Sequence, residues 1–201
     1  MFIRRREFLL LGIITLLAFS AASGQTRQWK TYDGTRYGFR VVFPSSPTVS
    51  TERVKDIPIT GFEAAGTNER FEVIVTVADP NVPKDQAMKD LVGSTRKGLI
   101  DGGFRIASET DLSRGDVLGR EMIYTNGTIL SVTRWYFTGQ SIYVVTADVL
   151  RESVVNDPVY ARQVTAFINS FKTIYDEPAV PRTAYADYMS NIARRQDPPE
   201  R

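Results

Sequence analysis

Apolar and polar side chains alternate through most of the chain after Trp29, and this period of two restricts the fold more than any other feature. The alternation predicts strands in residues 37–43, 57–67, 71–77, 104–112, 118–124, 129–137 and 142–150. Asn126-Gly127 separates two of these segments and suits a two-residue hairpin turn, because both residue types tolerate positive φ. The last four strands are therefore expected to form an antiparallel meander.

Two segments change to helical spacing, residues 84–100 and 158–171. Asp157-Pro158 is typical of a capped helix start, and Gly102-Gly103 is typical of a helix end. Each segment carries one apolar stripe, so each helix should cover a sheet. We therefore expect an α+β fold in which a mostly antiparallel β-sheet is sandwiched between two main helices.

The chain contains neither cysteine nor histidine. Disulfides, thiol nucleophiles, Ser-His-Asp triads and zinc sites with histidine ligands are therefore excluded. The first 24 residues hold three arginines and one glutamate, so the remainder carries 22 basic and 22 acidic residues. A neutral remainder lacks the basic footprint of a nucleic-acid-binding protein. We expect no catalytic residues, no cofactor, no metal site and no nucleic-acid partner.

Residues 1–24 have the layout of a secretory signal peptide, with arginines, then an apolar core, then small residues. The apolar run is shorter than the roughly 20 residues that a membrane-spanning helix needs, so no stable span is expected after processing. Small side chains at Ala22 and Gly24 predict cleavage between Gly24 and Gln25, the alternative being an uncleaved anchor. The expected location is extracytoplasmic, in the periplasm or secreted from a bacterium.

The sequence is compatible with two export pathways. Arg5 and Arg6, followed by Phe8 and Leu9, are typical of a twin-arginine signal. No basic residue precedes the cleavage site, which favours the general secretory route instead.

Residues 25–175 are expected to form a single domain. Residues 176–201 contain four prolines and are expected to form a flexible tail, with a weak helical pattern over 183–195. The alternative is a tail that binds a partner through a stripe at helical spacing, formed by Tyr185, Tyr188, Met189 and Ile192.

The order of short motifs along residues 29–172 resembles the PsbP-like superfamily, which includes the bacterial DcrB-like proteins. The motifs are Phe43-Pro44, Ala78-Asp79-Pro80, Leu118-Gly119-Arg120-Glu121, Arg134-Trp135-Tyr136-Phe137, Ile142-Tyr143-Val144-Val145 and Phe167-Ile168-Asn169-Ser170-Phe171-Lys172. The resemblance implies an antiparallel sheet between helices and a mostly non-enzymatic role in binding or assembly. It carries over no catalytic residues and no metal site.

One group of residues is a candidate partner surface, namely Arg120, Trp135, Tyr136 and Tyr143. Exposed aromatic side chains would bind a protein, whereas covered ones would belong to the core. Arg120 either clamps an anionic group or pairs with a glutamate across the sheet, with Gly119 providing a bulge or a close packing contact.

Two weaker patterns suggest a hydrolase site and a calcium site. Ser94 and Lys97 have the Ser-x-x-Lys spacing of penicillin-recognising enzymes, although the companion motifs are absent. Glu109, Asp111 and Asp116 offer loop carboxylates for Ca²⁺ without EF-hand spacing. A solvated helix face and solvated loops are the simpler interpretations of these two patterns.

The function expected from the sequence is that of a secreted, non-catalytic domain that binds or helps assemble an envelope protein. The alternative is a carrier of a small apolar ligand held between the sheet and the helix of residues 84–100. A hydrolase based on serine or carboxylate groups is a third hypothesis.

Overall fold

The computed structural model describes residues 29–139 and 141–174. The expected signal peptide, with Arg5, Arg6 and the Gly24–Gln25 cleavage site, and the expected tail of residues 176–201 lie outside the described residues. The elements in chain order are β1 (Lys30–Gly34), β2 (Phe39–Phe43), β3 (Thr48–Val54), β4 (Ile57–Ala65), β5 (Glu69–Val77), α1 (Lys84–Asp101), β6 (Arg105–Asp111), β7 (Leu118–Thr125), β8 (Ile129–Phe137), β9 (Ser141–Leu150), α2 (Arg151–Asn156), α3 (Pro158–Ser170) and β10 (Lys172–Thr173).

Seven strands form the main sheet, in the order β3-β4-β5-β9-β8-β7-β6, and every neighbouring pair is antiparallel. The meander expected at the end of the chain is confirmed, since β6, β7, β8 and β9 are consecutive neighbours. A smaller sheet, in the order β1-β2-β10, is also antiparallel. The β5–β9 pairing joins the N-terminal hairpins to the meander and makes them one sheet.

The two long helices cover opposite sides of the main sheet. Met88 and Val92 of α1 pack on Met122, Trp135 and Phe137, and α1 contacts β6, β7 and β8. On the other side, α3 and β2 pack against an apolar core that includes Phe39, Phe43, Phe71, Val145 and Phe167. The expected α+β fold, with an antiparallel sheet between two main helices, is confirmed.

Local sequence explains how α3 starts. The side chain of Asp157 accepts a hydrogen bond from the backbone N–H of Val159 at 2.8 Å, and Pro158 occupies the first turn. An acceptor at this position satisfies a backbone donor that the helix leaves without a partner. None of the helices in the described ranges is both long enough and apolar enough to cross a bilayer.

The structure corrects several predicted boundaries. Tyr37 lies in a 3₁₀ turn before β2 begins, and β4 ends at Ala65, so the following turn comes before Glu69. Strands β1, β3 and β10 and helix α2 were not predicted. The β3 sequence is exposed throughout and lacks apolar alternation. Its hairpin turn is formed by Lys55 and Asp56, both with positive φ.

Candidate interaction surface

The four residues expected to form a partner surface lie on opposite sides of the main sheet. Successive residues of a strand point to alternate sides. Trp135 therefore points toward α1, as Arg120 of the neighbouring strand does, because the two residues are directly opposite in register. Tyr136 and its opposite neighbour Tyr143 point toward α3. The four side chains therefore cannot form one surface.

Two of the aromatic residues belong to the interior, so the surface interpretation is wrong for them. Trp135 is 2% exposed and packs beneath α1. Tyr143 is 1% exposed, and its hydroxyl donates to the carbonyl oxygens of Tyr37 at 3.0 Å and Gly38 at 3.3 Å. Tyr136 is partly buried and stacks on the ring of Phe171, with 5.3 Å between ring centroids. These three aromatic residues stabilise the packing of the helices and the small sheet on the main sheet.

The Gly119-Arg120-Glu121 motif is divided between solvent and core. Arg120 is exposed, and its guanidinium lies 3.2 Å from the Asp111 carboxylate on the adjacent strand. Gly119 makes the expected close packing contact, because a Cβ atom placed there would lie 2.9 Å from backbone atoms of Leu112. The expected pairing of arginine with glutamate across the sheet does occur, but it joins Glu121 to Arg134.

The Glu121–Arg134 pair is buried, with both side chains 1% exposed and Nε donating to Oε2 at 2.7 Å. Arg134 also donates to the carbonyl oxygen of Ile168 at 3.0 Å and to the Asn169 side chain at 3.1 Å. Both partners lie in the last turn of α3, where carbonyl groups lack donors within the helix. The pair therefore connects the end of α3 to the centre of the meander.

The residues considered for hydrolysis and for metal binding are engaged elsewhere. The Ser94 hydroxyl donates to the carbonyl oxygen of Leu91 at 2.9 Å within α1, and Lys97 pairs with Asp101. Glu109 pairs with Arg96, as Asp111 does with Arg120. Within residues 29–139 and 141–174, no three acidic side chains converge as a metal ion would require.

A polar cluster that sequence reasoning did not find lies beside the area covered by α1. We call Glu63, Arg70, Glu72 and Asp148 the Arg70 cluster. Arg70 Nε donates to Asp148 Oδ2 at 3.0 Å, and its guanidinium lies 3.8 Å from Glu63 and 3.9 Å from Glu72. Strands β4, β5 and β9 each supply members, so only their pairing brings these residues together.

Burial dominates the electrostatics of the Arg70 cluster. The Glu72 side chain is 14% exposed, and burial raises its pKa from 4.5 to about 7. The Arg70 charge opposes this shift, whereas the Glu63 and Asp148 carboxylates add to it. With a pKa of about 7, the Glu72 carboxyl group is partly protonated near neutral pH.

Strand β3 is an edge of the main sheet, and all seven of its residues are exposed. In a two-residue hairpin the residues flanking the turn form a hydrogen-bonded pair, and such pairs alternate with non-bonded pairs along the strands. Val54 and Ile57 flank the turn, so Arg53 and Pro58 form a non-bonded pair. The Pro58 carbonyl accepts from Thr76 Oγ1 on β5 at 2.9 Å, which confirms that it points away from β3.

The same alternation assigns the free backbone groups of β3. The N–H and C=O groups of Val49, Thr51 and Arg53 point away from β4, whereas those of Ser50 and Glu52 point toward it. Among the described residues, no strand pairs with this outer edge. The candidate site is therefore a row of backbone donors and acceptors along β3.

Comparisons with known proteins identify the fold. No family model matches the chain, and no curated protein matches it. The solution structure of cyanobacterial PsbP (CyanoP) from Synechocystis sp. PCC 6803 is similar, with a TM-score of 0.53 and 9% identity, over 79% of this chain and 98% of that chain.

Two further structures are more distant. The Ran-binding protein Mog1p of Saccharomyces cerevisiae has a TM-score of 0.45 and 12% identity, over 74% of this chain and 96% of that chain. A Pseudomonas aeruginosa protein of unknown function has a TM-score of 0.37 and 10% identity, over 66% of this chain and 99% of that chain. The cyanobacterial match shows that this chain has a PsbP-like fold.

Proposed function

We propose that this chain is a PsbP-like protein that works outside the cytoplasm as a non-catalytic binding or assembly domain, and that β3 binds an extended segment of an envelope protein. The row of outward-pointing backbone groups on β3 is the observation that carries the proposal. The proposed location rests on the signal-peptide layout of residues 1–24.

Edge strands are a recognised means of binding extended peptides, because the partner strand completes the hydrogen-bond ladder. Strand β3 contains no proline, and its residues Val49, Thr51 and Arg53 supply three outward N–H donors. Glu52 and Arg53 point to opposite sides of the sheet. The partner segment is therefore expected to alternate, with a basic residue on the Glu52 side and an acidic residue on the Arg53 side.

The two other functions receive less support from the geometry. The space between α1 and the sheet, where an apolar ligand was expected, holds the buried side chains of Met88, Val92 and Trp135. For a hydrolase, Ser94 needs a nearby base, but its hydroxyl donates to its own helix and Lys97 pairs with Asp101.

The decisive experiment compares capture of envelope proteins by matched variants of the processed protein. Thr51→Pro removes one outward donor and leaves the bonds from Ser50 and Glu52 to β4 in place. Thr51→Val changes the side chain but keeps the N–H. We expect a specific protein that is captured by the unmodified chain and by Thr51→Val, and that is lost with Thr51→Pro.

Hydrogen exchange then tests the binding mode with the captured partner. The amides of Val49, Thr51 and Arg53 should gain protection in the complex, whereas those of Ser50 and Glu52 are already bonded within the sheet. Equal capture by both Thr51 variants, or unchanged exchange at the three outward amides, would refute the β3 proposal. Circular dichroism of Thr51→Pro verifies that the variant is folded.

A further inference from the structure

One row of residues in register runs from beneath α1 to the β3 edge of the main sheet: Trp135, Val144, Ile74, Gly61 and Ser50. The last two members of this row are small. On the same side of the sheet, Glu52 of β3 lies in the adjacent row in one direction, and Glu63 of β4 lies in the adjacent row in the other direction. At the edge, the row is therefore a shallow notch between two carboxylates, which we call the Ser50 notch.

Both carboxylates of the Ser50 notch are able to bind a further cation. Glu52 is exposed, as is the rest of β3. The Glu63 side chain is 44% exposed, and the guanidinium of Arg70 approaches it only to 3.8 Å, whereas the same guanidinium lies 2.5 Å from Asp148. A carboxylate offers about four lone-pair sites, so the distant contact with Arg70 leaves Glu63 able to accept from a second donor.

We infer that the Ser50 notch binds an arginine side chain of the partner segment, at the residue directly opposite Ser50. The inference rests on the proposed binding of an extended segment to β3, and it specifies what that segment carries. Neighbouring strands of the main sheet are antiparallel, and an antiparallel segment on β3 forms its hydrogen-bonded pairs with Val49, Thr51 and Arg53. The partner residue opposite Ser50 then belongs to a non-bonded pair and points to the same side of the sheet as Ser50.

The dimensions of a regular sheet allow this contact. Neighbouring strands are about 4.8 Å apart and an extended arginine reaches about 7 Å from its Cα atom, so the guanidinium lies between Ser50 and Gly61. Residues two positions apart along a strand are separated by about 7 Å, and a glutamate side chain spans about half of that distance. Glu52 and Glu63 therefore reach the guanidinium from its two sides.

The residue types of the Ser50 notch favour arginine over lysine. A guanidinium donates from both edges of a planar fork, so it can bind carboxylates on opposite sides, whereas the ammonium of lysine is a compact point charge. Gly61 leaves room for the fork. A Cβ atom added at Gly61 would lie 3.2 Å from Ser50 Oγ, so a side chain at this position would crowd the space above Ser50.

A library of displayed random peptides, nine residues long, tests the inference while the natural partner is unidentified. The library is selected on the processed protein and, in parallel, on Thr51→Pro. Peptides that bind the first and not the second depend on the β3 edge. Among these peptides we expect arginine at one fixed position at least about fivefold more often than in the unselected library. Selection on a double variant, Glu52→Gln with Glu63→Gln, should abolish this preference.

A selected peptide then allows a quantitative comparison. Replacement of its arginine by citrulline keeps the shape of the side chain and removes the charge. We expect citrulline to weaken binding to the unmodified chain by about fivefold, and to change binding to the double variant little. Glu152→Gln is the matched control, because it removes an exposed carboxylate from α2, which packs on α3 and β9, and it should keep the full effect of citrulline.

Two outcomes would overturn the inference and leave the binding of peptides to β3 in place. These are Thr51-dependent peptides without a preference for arginine, and a preference that persists in the double variant. A selection that yields no Thr51-dependent peptide overturns the proposed function and the inference together. Circular dichroism verifies the fold of the double variant, and the citrulline comparison on the unmodified chain needs no variant.

Discussion

Replacement of Arg134 by methionine should destabilise the protein more than any other loss of a single charge described above. The variant leaves the Glu121 carboxylate 1% exposed and without the cation that contacts it, and it removes the donors to Ile168 and Asn169 at the end of α3. Breaking a buried ion pair by removing one partner typically costs about 3–5 kcal/mol of unfolding free energy. We expect a loss in that range for Arg134→Met.

The same sheet supplies a matched control. Arg120 and Asp111 form a cross-strand pair of similar chemistry at 3.2 Å, but their side chains are 44% and 54% exposed. Arg120→Met should therefore cost at most about 1 kcal/mol, as is usual for pairs in water. A double variant, Arg134→Met with Glu121→Leu, should recover most of the lost stability, because it removes both buried charges.

Urea unfolding followed by tryptophan fluorescence measures all these variants, since Trp135 lies in the core beside the pair. The reasoning is refuted if Arg134→Met costs no more than Arg120→Met. It is also refuted if the double variant is as unstable as Arg134→Met alone, because the cost would then arise from lost packing and not from an uncompensated charge.

Three further predictions concern separate parts of the sheet. The raised Glu72 pKa means that the folded state binds the proton more tightly than the unfolded state, so its stabilising effect is present below pH about 4.5 and is lost as pH rises to about 7. This loss amounts to roughly 3 kcal/mol of unfolding free energy, and Glu72→Gln should abolish it. The prediction is contradicted if urea unfolding gives the variant the same difference in stability between pH 4.5 and pH 8 as the unmodified protein. Gly119→Ala should cost about 1–3 kcal/mol by forcing a methyl group against Leu112, as thermal unfolding would show. Asp56→Gly should stabilise the β3–β4 hairpin by roughly 0.5–1 kcal/mol by relieving a positive φ, and a lower melting temperature would count against this.

The class of the fold was accessible from sequence because alternation and helical spacing are local signals. The helix predicted from residue 158 begins there because Asp157 and Pro158 act on their own neighbours. Strand β3 was missed because an exposed edge strand has no buried side and hence no alternation to detect. The sequence left open whether Trp135 and Tyr143 are exposed, because their cover, α1 on one side of the sheet and β2 with α3 on the other, is set by tertiary packing that composition does not encode.

The sequence by itself determined the chemistry that is excluded, because a chain without cysteine or histidine has no thiol or imidazole in any fold. It also determined the α+β class, through periodicities set by backbone geometry. Only the tertiary structure decided which charges meet, since Arg70 and Asp148 are 78 residues apart in the chain. The same holds for burial: Glu121 is enclosed and its neighbour Arg120 is exposed, because adjacent residues of a strand point to opposite sides of the sheet.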